Sequence, residues 1–319
     1  MDMLSRVCDS LYWMSRYLER AEHTARVLEV HLGLQLESFS AASQRHRQRM
    51  ITSLGLEPPE GLSDPELVQW VCFDPSNRLS IVSSITFARD NARQVREHTS
   101  SEMWEQINIL FHHVRSHAVQ EDWEGEPADF LRSVRDGAHL FQGITDSTMS
   151  HGQGWQFIQL GRYIERVNAA SLLLDHHFRH FEAEGAETID FEEHSEWIGL
   201  LKSLTAFEAY CKVYTADLKP ARVAEFLLLS GEFPHAIRFA VDQIDTVMRA
   251  LPEAMRPAGN RPARLAGKLR AMLSYTQMDE IAAGGMHDFL DDVQRQCTQI
   301  HNAVQQVYID YPIDAAVEA

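Results

Sequence analysis

Leu11-Tyr12-Trp13-Met14-Ser15-Arg16-Tyr17-Leu18-Glu19-Arg20-Ala21 decides how this chain is read, because most of it returns. Met14 to Ala21 reappears as Leu160-Gly161-Arg162-Tyr163-Ile164-Glu165-Arg166-Val167, 146 positions later. The apolar positions exchange within type: Met for Leu, Leu for Ile, Ala for Val. Arg, Tyr, Glu and Arg are unchanged. Around the first copy, Leu4, Val7, Leu11, Met14, Leu18, Ala21, Ala25, Leu28 and Leu32 keep a strict 3-4 spacing over four heptads. That spacing predicts one long helix from 4 to about 38, with a seam suited to shallow-angle packing in a bundle. The second copy predicts a matching helix from 155 to about 181, striped by Phe157, Leu160, Ile164, Val167, Ser171, Leu174, Phe178 and Phe181. The first seven of these fall on the same register as positions 11 to 32. Arg16, Glu19, Arg20 and His23 lie off the seam, and Tyr17 lies beside it.

The remaining segments read as shorter helices divided by breakers. Helical patterns cover 45–54, a short stretch opened by Asp64 as N-cap with Pro65 at the first helical position, 79–98, and a helix capped by Ser100 or Ser101. Others cover 130–149, 194–214, a run from Phe233-Pro234 to 250, 264–275 and 279–309. Positions 225–229 are short and apolar. Loops are expected at 55–64, 120–129, 182–193 and 252–263, and the tail after Pro312 is expected to fray. Period-2 alternation is almost absent. The fold class is therefore all-α, a bundle of about ten helices. It is read as a single domain over 1–319, with pseudo-repeated halves of about 1–145 and 146–319, each led by an Arg-Tyr-x-Glu-Arg helix.

Composition narrows the classes. Of 319 residues, 45% are hydrophobic and 24% charged, which suffices for a core. The formal net charge of −17 argues against nucleic acid or an anionic membrane as the main partner, since both favour cations. Four dispersed cysteines with no C-x-x-C fit reduced thiols, and there is no signal-peptide pattern or spanning apolar run. A cytoplasmic protein is expected.

Three groups are candidate sites. In each motif copy the Arg, Glu and Arg are spaced i, i+3, i+4 and share a helical face: Arg16, Glu19, Arg20 and Arg162, Glu165, Arg166. A solvated ion-pair stripe, a buried polar network joining the halves, and a ligand or catalytic site are all consistent with that face. A Glu flanked by two Arg stays ionised, which suits orientation better than acid chemistry. The second group is Ala88-Arg89-Asp90-Asn91-Ala92-Arg93, extended by Arg96. Its arginines are either a salt-bridged face, with Asp90 and Glu97, or an anion pocket, or partners for Glu19 and Glu165. The third is histidine. His113/His117 and His176/His180 are i, i+4 pairs, but they lack the zincin Glu and nearby Cys, so no metal site is predicted. No phosphate loop and no nucleophile elbow is legible. Trp13, Tyr17, Trp104, Trp155 and Tyr163 read as packing aromatics.

These stretches resemble a known family. Met3-Leu4-Ser5-Arg6, followed by Leu11 to Glu22, is similar to the start of the bacterial alpha-E domain family, which is all-helical and named for a Glu-Arg motif. Ala88 to Arg93 resembles the family's Ala-Arg-Glu-Asn-Ala-Arg, with Asp90 in place of Glu. Trp104-Glu105 with Asn108, Thr148-Met149, Gly154-Trp155, Gly161 to Arg166, Phe226 to Leu229 and Phe233-Pro234 resemble further blocks. The chain departs from the pattern at His23 (usually Asn), Asn168 (usually an acid), Ser230 (expected Asp) and His235-Ala236 (expected Arg-Ser).

The resemblance implies company more than chemistry. Alpha-E proteins are typically encoded beside, or fused to, a circularly permuted ATP-grasp protein, often with a transglutaminase-like protease. The expectation is a helical partner subunit of a carboxylate–amine ligase system acting on a small peptide or amino-acid substrate. ATP and Mg would then belong to the ATP-grasp partner, and no cofactor to this chain. Arg16, Tyr17, Glu19, Arg20, Arg162, Tyr163, Glu165, Arg166, Arg89, Asn91 and Arg93 would hold an anionic substrate or intermediate. Alternatives are an enzyme acting on the product, with Glu19 or Glu165 as general base, and a non-catalytic scaffold with a buried ion network.

Overall fold

The computed structural model describes residues 4–37, 40–118, 127–184, 191–215, 217–251 and 260–309. Among the described residues there are fourteen α-helices and no strand. In chain order they are α1 (Ser5–Glu37), α2 (Ser40–Ser53), α3 (Asp64–Phe73), α4 (Ile81–Gln94), α5 (Ser101–Ala118), α6 (Pro127–Thr148) and α7 (Gln153–Glu184). Then come α8 (Phe191–Ser203), α9 (Phe207–Tyr214), α10 (Pro220–Leu229), α11 (Ile237–Ala250), α12 (Arg261–Tyr275), α13 (Met278–Gly284) and α14 (Met286–Val304).

The count exceeds ten because several long patterns are interrupted. The expected helix 194–214 ends α8 and restarts as α9. Thr205 takes φ 56°, and the Ala206 and Thr205 amides donate to the Leu201 and Lys202 carbonyls. This is a Schellman close with Thr where glycine usually stands, so no breaker residue advertises it. Gly285, at φ 92°, divides the expected helix 279–309 into α13 and α14. Val95 ends α4, leaving Arg96–His98 as a 3-10 turn. The apolar piece 225–229 is the end of α10, opened by Pro220 in its first turn. The start of α3 also differs: Ser63 is the N-cap, and its amide donates to Glu66 in a capping box. Ser100 caps α5 by accepting from the Met103 amide. The tail after Pro312 and parts of the loops at 120–129, 182–193 and 252–263 lie outside the described residues.

The two long helices form the centre. α1 and α7 share the most extensive interface, α4 and α6 cover α1, and α11 and α14 cover α7. The predicted seams are buried from Val7 to Leu28 and from Phe157 to Phe178, whereas Leu4 is 65% exposed. Fully buried side chains such as Leu11, Met14 and Leu28 each contribute about 1.5–3 kcal/mol of transfer free energy. The polar side of α1 is enclosed as well: Arg16, Glu19, Glu22, His23, Thr24 and Arg26 are buried.

Residue numbers rise together along the central pair, so α1 and α7 run parallel. Tyr12 lies against Gly161, and Arg16 lies against Glu165. The approach is closest at Gly161, where an added Cβ would sit 2.2 Å from the Tyr12 carbonyl oxygen and 3.3 Å from Arg16 Cγ. No side chain fits there, so glycine sets the helix separation on which the motif contacts depend.

Two opposite outcomes follow for one substitution type. Gly161→Ala forces the central helices apart and is expected to destabilise by about 1–3 kcal/mol or more. Gly143→Ala, on the exposed side of α6 with open space around it, is expected to stabilise by about 0.4–1 kcal/mol. Urea unfolding midpoints of both variants check the pair.

Candidate functional site

The off-seam faces of α1 and α7 meet each other. Glu165 accepts from Arg16 Nε at 2.7 Å and from Arg20 Nε at 2.6 Å. Reciprocally, Glu19 accepts from Arg166 Nε at 2.5 Å, and Arg162 Nε lies 3.7 Å from its other oxygen. Each glutamate is thus held by both arginines of the opposite copy. Glu19 also accepts from Gln142 of α6 at 3.1 Å, and Arg166 donates to the Pro234 carbonyl at 3.1 Å. The solvated-stripe reading of the motif is thereby removed.

Charge balance governs the titration of this network. Burial pushes the Glu165 carboxyl up, but Arg16 and Arg20 together outweigh it and hold it below the usual carboxylate range. Burial opposes the charge on Arg16 and Arg166, and Glu165 and Glu19 respectively restore it. Arg162 is the exception. Burial and the adjacent Arg166 push its guanidinium down, and Glu19 does not compensate. Its Nε has no hydrogen-bond partner among the described residues. Within the two motif copies four guanidiniums face two carboxylates, an excess of two positive charges that Asp146 of α6 partly offsets at Arg162.

Aromatic and imidazole groups surround the pairs. The Tyr12 hydroxyl is 2.8 Å from His301 Nδ1 of α14, and Arg16 reaches both groups at 3.4 and 3.3 Å. Tyr17 stacks on Trp13 and meets Phe87 at a tilt of 46°, with the Arg20 guanidinium over its ring. Tyr163 lies under the guanidiniums of both Arg162 and Arg166. Glu22 pairs with Arg26 one turn further along, close to His139.

Two cavities touch the network. One, of about 130 Å³, is lined by Arg20, His23, Thr24, Leu54, Leu79, Glu165, Asn168 and Leu172, among others. The other is a narrow gap of about 10 Å³ against Ser15, Gln142, Thr145, Gln159 and Arg162. The arginines that line them, Arg20 and Arg162, are the least buried of the four, with 21% and 18% of their side chains exposed.

The second candidate group lies elsewhere. Arg89 donates to Asn108 of α5 at 3.0 Å and stacks over Phe111 and Trp104. Asn91 donates to its own helix at Phe87, and Arg93 is 65% exposed beside Asp90. The carboxylates of Glu19 and Glu165 are occupied by motif arginines, so the expected pairing with Arg89 or Arg93 is not what forms. The helix direction explains it, since α4 turns Arg89 toward α5 and Phe87 toward α1. His113 contacts Ser133 at 2.7 Å and packs beside His117, while the His180 side chain lies outside the described residues. His23, Gln142, His301 and Tyr12 were not read as site residues. Tyr12, one turn before Arg16, and His23, off the seam with Arg16, Glu19 and Arg20, carry a spacing signal, whereas Gln142 and His301 carry none.

Glu165→Gln leaves Arg16 and Arg20 without a counter-charge and is expected to cost about 3–5 kcal/mol. Asp217→Asn, at an exposed pair with Arg222, is expected to cost under about 1 kcal/mol. Denaturant unfolding of the two variants tests the contrast. Acid has a second effect. Burial lowers His31 from an ordinary 6.5 to about 4, and also lowers His23 and His235. Above 6.5 neither the folded nor the unfolded state binds these protons. Below it the unfolded state does and the folded state does not, so stability is lost as pH falls from 6.5 towards 4. His31 alone accounts for up to about 3 kcal/mol, and His31→Gln is expected to flatten the fall in unfolding midpoint between pH 7 and 5.

The comparisons with known proteins agree with this architecture. Residues 3–309 match the family model Alpha-E, described as a predicted alpha-helical domain with a conserved ER motif. An uncharacterized protein of Mycobacterium bovis is 22% identical over 307 residues, covering 88% of this chain and 34% of its own length. Two uncharacterized proteins of Mycobacterium tuberculosis are 22% and 21% identical over the same coverage. This chain therefore spans about a third of the length of these relatives. No solved structure matches it. With the model covering nearly the whole chain, and Glu19-Arg20 and Glu165-Arg166 at the centre of the fold, the chain belongs to the Alpha-E family.

Proposed function

We propose that this chain is the helical partner subunit of an ATP-grasp carboxylate–amine ligase system, holding an anionic substrate or intermediate at the edges of the paired motif faces. The observation that carries the anion-binding half is Arg162. A half-buried guanidinium beside Arg166, too far from Glu19 for a hydrogen bond and with its buried Nε unpartnered, costs stability where it stands. Such a group is retained more readily when an anion completes it. The excess of two positive charges in an otherwise acidic chain supports the same reading.

The partner half rests on the resemblance and on the longer relatives, in which the matching region is joined to further chain. In the proposed scheme the ATP-grasp protein supplies ATP and Mg. A substrate carboxylate becomes an acyl phosphate with release of ADP, and an amine then displaces phosphate to form the amide. The role of this chain is to bind and orient. Glu165, held ionised with arginine on both oxygens, is poorly placed to act as a proton acceptor, which weighs against a stand-alone enzyme.

A scaffold role is the second reading, favoured by the burial of Glu19, Glu165, Arg16 and Arg166. Arg162→Ala separates the two. Because Arg162 stands 3.7 Å from Glu19 with no hydrogen bond at Nε, its removal is expected to leave the thermal midpoint within roughly 3 °C of the parent while lowering ligase output by about tenfold or more. Unchanged output from the folded variant, with the ATP-grasp neighbour present, would favour the scaffold. Co-purification with that neighbour tests the partner half separately.

A further inference from the structure

The larger cavity beside the network has the features of a built site. Its floor is the Arg20–Glu165 pair, its sides are His23 and Thr24 of α1 and Asn168, Ala169 and Leu172 of α7, and its roof is Ser53, Leu54 and Leu79. The Ser53-Leu54 roof is held by the glycine close of α2. Gly55 takes φ 62°, and the Leu56 and Gly55 amides donate to the Ile51 and Thr52 carbonyls. This turn packs on α7 through Leu172, 3.7 Å from where a Gly55 Cβ would lie.

Two polar groups in this cavity have hydrogen-bonding capacity left over. His23 is 9% exposed, yet its Nε2 has no hydrogen-bond partner among the described residues. A buried polar atom left unpaired costs about 1–3 kcal/mol, and nothing in the packing of α1 requires an imidazole there. Arg20 commits its Nε edge to Glu165 and keeps part of its side chain open. Arg16, Arg20 and Glu165 together carry one net positive charge, enough for one carboxylate. Arg16 is not available to a second anionic oxygen, because it is spent on Glu165, Tyr12 and His301. A phosphate dianion would find too few donors. Leu54, Leu79, Leu172 and Ala169 give the remaining wall an aliphatic character.

We propose that this cleft binds a small aliphatic acid that carries a second hydrogen-bonding group beside its carboxylate, the pattern of an aliphatic amino acid. Arg20 receives the carboxylate, His23 Nε2 with Asn168 takes the neighbouring amine or hydroxyl, and the three leucines enclose the side chain. The assignment rests on the reading above that the motif edges bind anions, and gives the Arg20 edge a ligand class of its own, distinct from whatever Arg162 meets at the other edge.

Calorimetric titration of the full chain with L-leucine, isovalerate and inorganic phosphate tests it. Saturable L-leucine binding is expected, weakened about tenfold in isovalerate, which lacks the second group. Ala169→Phe, which fills the cleft without removing a member of any ion pair, is expected to abolish it. His23→Leu is expected to weaken it about tenfold, and His23→Asn, which restores a hydrogen-bonding group, to recover most of the loss. L-leucine binding that survives Ala169→Phe would overturn the location. Phosphate bound in place of both acids would overturn the substrate class and leave the anion-binding reading standing. Absence of binding by either acid up to about 10 mM would overturn this inference, while the Arg162 and co-purification results would still decide the proposed function.

Discussion

Two buried carboxylates that must be neutralised from across a helix interface are the constraint on which the rest of this structure depends. Glu19 and Glu165 lie on parallel helices, each answered by arginines from the other. A buried glutamate without its arginines would be costly, so the pairs fix the register of α1 against α7. They also fix the separation, because Arg16 reaches Glu165 only while Gly161 lets the Tyr12 carbonyl come close. Parallel central helices need a long return path between them, and α2 to α6 supply it while covering α1.

The network is reciprocal in its partners but unequal in its fit. Arg16 holds Glu165 at 2.7 Å, whereas Arg162, the corresponding residue of the second copy, stands 3.7 Å from Glu19. Arg166 is buried, whereas the matching Arg20 opens toward a cavity. Both departures, with the unpaired His23 Nε2, put surplus hydrogen-bonding capacity at the edges of the motif rather than inside it.

How much was legible differs between fold and site. The 3-4 stripes from Leu4 to Leu32 and from Phe157 to Phe178 mark the central helices because burial on one face must recur with the helical period. Gly285 marks a break only once its φ is known, and Thr205 closes α8 in a conformation its side chain does not favour, so local pattern missed both. Within the site, Arg16, Glu19, Arg20, Arg162, Glu165 and Arg166 were legible because the identities of a polar face persisted while its apolar neighbours drifted. Arg89, Asn91 and Arg93 shared the same kind of spacing but turn toward α5 and solvent, since spacing fixes a face and not what that face meets. Gln142 and His301 reach the network from α6 and α14 without any pattern of their own.

By itself the sequence determined an all-helical chain with two matched long helices, and a charged face on each that its own seam does not explain. Hydrophobic periodicity and fixed residue identity are local properties, readable along one strand of letters. Only the tertiary structure decided that the two faces are buried against each other, which arginine answers which glutamate, and where positive charge is left over. Those depend on helix direction, on close approach at a single glycine and on side chains arriving from distant helices, and no local pattern encodes them.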